Sequence, residues 1–196
     1  QKIKRKNTKY SIIRKKESFY SNIKNFTIIG LSKWMATSAK QSFLLHKHKV
    51  VNIPNPININ IFDKFNNNEA LKKKFHFNKN KKLILFGAVG ALRDRRKGFK
   101  ELVTALENIN SSDFELVVFG NDSESLIKVD FEITYLGYIK DFKKLIELYN
   151  VVEVMIVPSL QENLSNAIME SLSCGTPVVA FDIGGNADMI DHKQNG

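Results

Sequence analysis

The sequence predicts an α/β fold, a parallel sheet with helices on both faces. Three observations carry this. From Lys82 onward, short apolar runs alternate with segments whose apolar residues recur at helical spacing. The runs are apolar throughout, the pattern of strands buried on both faces. Most of them stop at or near a glycine or proline, so a turn follows the strand.

Residues 1–26 are polar and basic, with Ile12, Ile13, Phe19 and Tyr20 as scattered anchors. Thr27–Gly30 reads as a short strand ending at a glycine. Ser32 then stands where an N-cap belongs, before a short helix through Trp34 and Ala39. Val50–Ile53 is a second short strand. Pro54 and Pro56 flank Asn55, which continues neither a helix nor a central strand, so this segment reads as a linker. Residues 62–82 read as a small charged helix and a loop.

Leu83–Phe86 is the first long apolar run, closed by Gly87 and Gly90. Phe99, Leu102, Val103 and Leu106 then predict a helix. Phe114–Phe119 stops at Gly120, and Ile133–Leu136 at Gly137. Phe142, Leu145, Ile146 and Tyr149 follow i, i+3, i+4, i+7. Val154–Val157 stops at Pro158. A helix is expected from about Ser165 to Ser173, ended by Gly175. Val178–Phe181 is the last strand, before Gly184-Gly185.

With 196 residues the chain can hold one domain and part of another. Its 43% hydrophobic and 26% charged residues fit a globular protein. No apolar run is long enough to cross a bilayer, and no signal-peptide pattern is seen. The single cysteine, Cys174, excludes an internal disulfide framework and fits a reducing compartment. The first residue is Gln1, which suggests a piece of a longer chain. The net charge of +10 is concentrated in Lys2–Lys16 and Lys72–Lys82. Phosphate ligands, an anionic membrane surface, nucleic acid or a merely solvated face would each suit such a balance. Aromatics interleaved with arginine, as in a nucleic-acid platform, are not evident. His46 and His48 form a pair, but no cysteine or paired carboxylate completes a metal site, so none is expected.

In parallel sheets ligands bind outside the carboxyl ends of the strands. The loops to inspect therefore follow Phe86, Gly120, Leu136, Val157 and Phe181. After Val157, the N–H groups of the next helix's first turn form an anion site, with Ser165 as the expected cap. Glu162 lies just before that turn, and Glu170 about 7 Å along the helix from Ser165. Two carboxylates thus bracket an anion site, a layout that suits a sugar, a diphosphate and a ribose. After Phe86, Gly87 and Gly90 let the backbone approach a phosphate. Arg93, Arg95, Arg96 and Lys97 supply cations.

Taken together, Pro158-Ser159, Glu162-x7-Glu170, Cys174-Gly175-Thr176-Pro177-Val178-Val179 and Gly184-Gly185 resemble the signature of family-4 (group 1) glycosyltransferases of the GT-B fold. The likeness runs from about Phe26 to the C-terminus and is strongest from residue 82. It implies that the sheet is Rossmann-like, one half of a GT-B fold. Residues 1–53 would be a remnant of the N-terminal, acceptor-side domain. Residues 54–81 would be an interdomain linker and lead-in. Residues 82–196 would be the donor-binding domain, incomplete at its C-terminus.

The resemblance further implies that Glu162 contacts the transferred sugar and Glu170 the ribose hydroxyls. Leu164, Ser165 and Asn166 would hold the diphosphate through backbone amides, aided by Gly90 and Lys97. The family's arginine position is taken by Ala91, so Arg93 or Arg96 substitutes. The loop Gly137–Lys140, with Ile139, would line the base. Asn163 and Ser165 stand where glycine is common, and Asp188 stands where glutamate is usual.

The expected activity is hexosyl transfer from a nucleoside diphosphate-sugar to an acceptor hydroxyl, with retention and without a metal cofactor. Its setting would be bacterial polysaccharide or glycolipid synthesis. Expected partners are the nucleotide-sugar donor and a glycan or lipid-linked acceptor. Nucleic acid is not expected. The place would be the cytoplasm, with peripheral contact at the inner membrane face left open. This piece alone would bind a nucleotide but not turn over. Two alternatives remain: a non-catalytic nucleotide-sugar-binding module, and a basic membrane- or nucleic-acid-binding protein.

Overall fold

The computed structural model describes residues 2–65, 68–87, 89–90, 92–120 and 128–196, with side chains from residue 10 onward. Ala91, named above, lies outside the described residues. The chain forms two compact units, residues 1–55 and 56–196.

The first unit holds α1 (Lys2–Ser21), β1 (Thr27–Gly30), α2 (Lys33–Gln41) and β2 (Lys49–Asn52). The two strands pair in parallel. Ser32 caps α2 as expected, its hydroxyl accepting from the Met35 N–H at 3.1 Å. The helix α1 was not foreseen. Its sequence has no apolar stripe, so periodicity gives no signal, and Tyr10, Ile12, Ile13 and Phe19 are all exposed on it.

The second unit begins with α3 (Asn68–Lys74), then β3 (Lys82–Gly87), α4 (Phe99–Leu106), β4 (Phe114–Phe119) and β5 (Glu132–Tyr135). There follow α5 (Phe142–Val151), β6 (Val154–Val157), α6 (Asn166–Ser173) and β7 (Val178–Ala180). All five strands are parallel, in the order β5-β4-β3-β6-β7. Along β3 the side chains alternate between two cores. Leu83 and Leu85 pack with residues of α3, α5 and α6, whereas Ile84 and Phe86 pack with Phe99, Leu102, Val103 and Leu106 of α4. Both faces are thus covered, as continuous apolar runs require.

The segment 56–81 is more than a tether. Phe62, Leu71, Phe75 and Phe77 are buried in the core of this unit. Asn150 holds the segment by accepting from the Phe65 N–H at 2.9 Å and donating to the Asp63 carbonyl at 3.0 Å. Lys72 pairs with Glu153 at 3.1 Å, and Lys81 with Glu132 at 3.3 Å. The prolines marked the start of this segment. Its later aromatics, lacking a regular period, did not announce burial.

Glu115 is buried at the start of β4, accepting from the Asn78 N–H (3.0 Å) and the Thr134 hydroxyl (2.7 Å). Glu115→Ala would orphan both donors and should cost about 1–3 kcal/mol of stability. A urea midpoint equal to that of the parent would refute this.

Candidate functional site

The central strand β3 has β4 on one side and β6 on the other, so the chain reverses its direction of winding there. Such a switch point opens a crevice at the carboxyl ends of the strands. A cavity of about 30 Å³ lies at this place, lined among others by Gly87, Lys97, Pro158, Ser159, Glu162 and Ser165. Of the residues expected from sequence, Lys97, Glu162 and Ser165 meet here.

Three loops build the site. In the first, Asp94 caps a 3₁₀ turn over Arg95–Lys97 by accepting from the Arg96 N–H at 3.0 Å. The Arg96 guanidinium also grips Asp94, through Nε at 3.0 Å and Nη2 at 2.7 Å. Hydrogen bonds from the side chain and backbone of Arg96, with the nearby charges of Arg96 and Lys97, hold the Asp94 carboxyl down at about 2. Arg96 is therefore engaged within its own turn. Arg93 is exposed on the same loop. Gly90 has φ +67° and donates its N–H to the Gly120 carbonyl at 2.9 Å.

The second loop, 158–165, is bound to the first. The Leu160 N–H donates to the Arg96 carbonyl at 2.7 Å. Gly98, at φ +72°, lies so close to Pro158 that a Cβ would overlap the Pro158 carbonyl. Lys97 Nζ reaches Glu162 Oε2 at 2.9 Å, and the two side chains are 26% and 15% exposed. The other oxygen of Glu162 accepts from the Asn163 N–H at 3.1 Å. The third loop, 181–186, presses on the second: a Cβ on Gly184 (φ +55°) would overlap the Glu162 carbonyl.

Ser165 stands at the N-cap position of α6, but its side chain makes no capping hydrogen bond. Its hydroxyl is therefore not the cap that the sequence suggested. Leu164 and Ser165 are buried and Asn166 is exposed. Glu170 lies further along α6 and does not line the cavity. It accepts from the Tyr149 hydroxyl at 2.8 Å. Burial pushes the Glu170 carboxyl up, and the phenol opposes the shift. Ile139 follows β5 and packs, partly buried, against the core on the α5 and α6 side.

Two contributors escaped the sequence reading. Tyr149 fitted the apolar stripe of its helix, although a buried phenol needs a partner. Asp94 carried a usable signal, an acid two residues before Arg96 at the head of a turn. Among the described residues, no group of three or more His, Cys, Asp or Glu could hold a metal ion. No helix among them is long and apolar enough to cross a membrane.

Residues 83–196 match the family model of glycosyl transferases group 1, which is more than half of the chain. An uncharacterised glycosyltransferase of Methanocaldococcus jannaschii is 28% identical over 193 residues, covering 91% of this chain and 48% of that protein. A D-inositol 3-phosphate glycosyltransferase of Pseudarthrobacter chlorophenolicus is 29% identical over 114 residues, 58% of this chain and 26% of that protein. The chain thus spans about half the length of the first relative, and less of the second. Among solved structures, HepE of Anabaena in complex with UDP superposes with a TM-score of 0.68 at 18% identity, over 85% of this chain and 47% of that one. The sucrose-phosphate synthase of Thermosynechococcus elongatus gives 0.66 at 22%, over 81% and 41%. Those neighbours share the fold predicted from the apolar runs, and the matched family describes the stretch that contains all three loops. The chain belongs to the group 1 glycosyltransferases.

Proposed function

We propose that the second unit is the donor-binding domain of a glycosyltransferase that moves a sugar from a nucleoside diphosphate to an acceptor hydroxyl. The observation that carries this is the contact of Lys97 with Glu162 at the switch point, beside the head of α6. A cation, a carboxylate and a helix N-terminus then stand together where a diphosphate-sugar needs them. In transfer, the bond between the anomeric carbon and the diphosphate breaks, the acceptor oxygen bonds to that carbon, and the acceptor's proton passes to the departing diphosphate. Lys97 stabilises the departing negative charge, and the amides at Leu164, Ser165 and Asn166 hold the phosphates. Arg93 adds to them, while Arg96 contributes less because Asp94 holds it. Glu162 orients the sugar and Glu170 the ribose. Protein cations, not a bound metal, meet the diphosphate charge.

Retention at the anomeric carbon, hexosyl transfer and a glycan or lipid-linked acceptor at the cytoplasmic membrane face complete the reading. They follow from the motif likeness. The neighbour HepE, solved with UDP and with UDP-glucose, supports a nucleotide-sugar ligand. The acceptor side would belong to the first unit and to sequence outside this chain, so this chain alone binds donor without turnover.

Thermal shift with UDP-, GDP- and ADP-sugars tests the reading. One of them should raise the melting temperature in a concentration-dependent way. No shift with any at millimolar concentration would argue against a donor site.

Glu170→Ala should weaken binding of the selected donor by about 1.5–3 kcal/mol, the loss of a charge-assisted hydrogen bond. Calorimetric titration measures this, and unchanged affinity would refute the ribose role. The same carboxyl has a pH signature. Its folded value is raised, so the folded chain holds more proton than the unfolded one between the two values. Stability therefore falls as pH rises from the ordinary carboxylate range through the raised value. Glu170→Ala should flatten that slope.

A further inference from the structure

We propose that Tyr149 is a positioning residue of the donor site, holding one oxygen of Glu170 so that the other stays open to the ribose. This rests on the donor reading above. Tyr149 is fully buried on α5, and its ring stands edge-on to Phe119, with centroids 6.3 Å apart. Its hydroxyl donates to Glu170 Oε2 at 2.8 Å. Oε1 has no hydrogen-bond partner among the described residues.

The tyrosine is itself pinned from the far end. Its carbonyl accepts from the Thr176 hydroxyl at 2.6 Å. The Thr176 carbonyl accepts from the Ser171 hydroxyl at 3.1 Å, and the Thr176 N–H donates to the Ser171 carbonyl at 3.0 Å. The Cys174 N–H donates to the Glu170 carbonyl at 3.1 Å. The turn 174–176, folded back on the C-terminal end of α6, thereby ties that helix to the Tyr149 carbonyl on α5. A long, partly buried glutamate would otherwise sample several rotamers. A fixed phenol selects one, so less ordering is needed when a ligand hydroxyl arrives.

The phenol has a second effect. Burial disfavours the charged carboxylate, whereas the Tyr149 hydrogen bond favours it. Among the described residues, the Cys174 thiol interacts with Glu170 and is itself pushed up to about 12 by burial and by Glu170 and Asp63, while the Lys64 side chain lies close to Gly175. Without the phenol, Glu170 would protonate at a higher pH.

The experiment uses the 196-residue chain and its Tyr149→Phe variant. The probe is the tightest-binding of UDP, GDP and ADP, together with its 2′,3′-dideoxy form, titrated from acidic to alkaline pH. Comparing the two forms cancels the titration of the phosphates. The parent should prefer the ribose form. Tyr149→Phe should cut that preference about tenfold near neutrality and lose it at a higher pH than the parent as the solution is acidified. Binding of the dideoxy form should hardly change. A phenol that only fills space would leave both the preference and its pH profile unmoved, and that result overturns the proposal while the donor reading stands. If no nucleotide binds, or if the parent does not distinguish the two forms, the donor reading fails first and this proposal with it. Should Tyr149→Phe not fold, Glu170→Gln keeps an acceptor for the phenol and removes the titration. It must then flatten the pH profile, and a persistent profile would overturn the proposal.

Discussion

Lys97→Ala is expected to lower kcat of the full-length transferase by about 10²–10³-fold, the usual loss when a donor aimed at developing charge is removed. Lys97 carries this weight because of where its loop holds it. The cap by Asp94, the bond from Leu160 to the Arg96 carbonyl and the close approach of Gly98 to Pro158 fix the turn that presents it. Its side chain is only 26% exposed, so the charge acts with little screening by water. The substitution also leaves Glu162 without its cation, and KM for the donor should rise as well. Arg96→Ala supplies the contrast. That guanidinium is already committed to Asp94, so its loss should cost less than tenfold. Steady-state kinetics on both variants with donor and acceptor decide the matter. Equal losses from the two, or a Lys97→Ala kcat close to the parent's, would remove Lys97 from the reacting centre.

The second large effect concerns the backbone. Gly98→Ala should destabilise the second unit by roughly 2–4 kcal/mol. Two costs add there: a left-handed φ of +72° and an overlap with the Pro158 carbonyl. The neighbouring turn separates them. Gly90 has a similar φ of +67°, but a Cβ there meets nothing within 4 Å. Gly90→Ala should therefore cost only the conformational part, about 1 kcal/mol. Urea unfolding should be followed by far-ultraviolet circular dichroism, because the single tryptophan, Trp34, reports on the first unit. If the two alanine variants unfold at the same midpoint, the contact with Pro158 is not the constraint described.

Much of the fold could be read in the sequence because it rests on one physical requirement. A strand covered on both faces is apolar at nearly every position, as Leu83–Phe86 shows and as Phe114–Phe119 shows apart from Glu115, whose carboxylate is satisfied by Asn78 and Thr134. The site was legible where chain-local chemistry defines it. Glu162, Ser165 and Lys97 each stand at the end of a strand or the head of a helix, and the structure brings these three to one cavity. What escaped depends on partners distant in sequence. Tyr149 and Glu170 are 21 residues apart and meet only because α5 packs beside α6. Phe62, Phe75 and Phe77 find a core that lies elsewhere along the chain. Ser165 shows the opposite error, a residue at the right position whose side chain makes no capping hydrogen bond. In α1 the polar composition hid a helix that no apolar face advertises.

The fit of Gly98 against Pro158, and of Gly184 against Glu162, bears on any attempt to redesign donor preference. Each loop carries on its surface the mould of the next. A loop transplanted alone from a relative would meet a neighbour shaped for a different backbone, and the mismatch would surface as poor expression before any change of selectivity could be seen. Residues 89–98, 158–165 and 181–186 should be exchanged together, as one cassette.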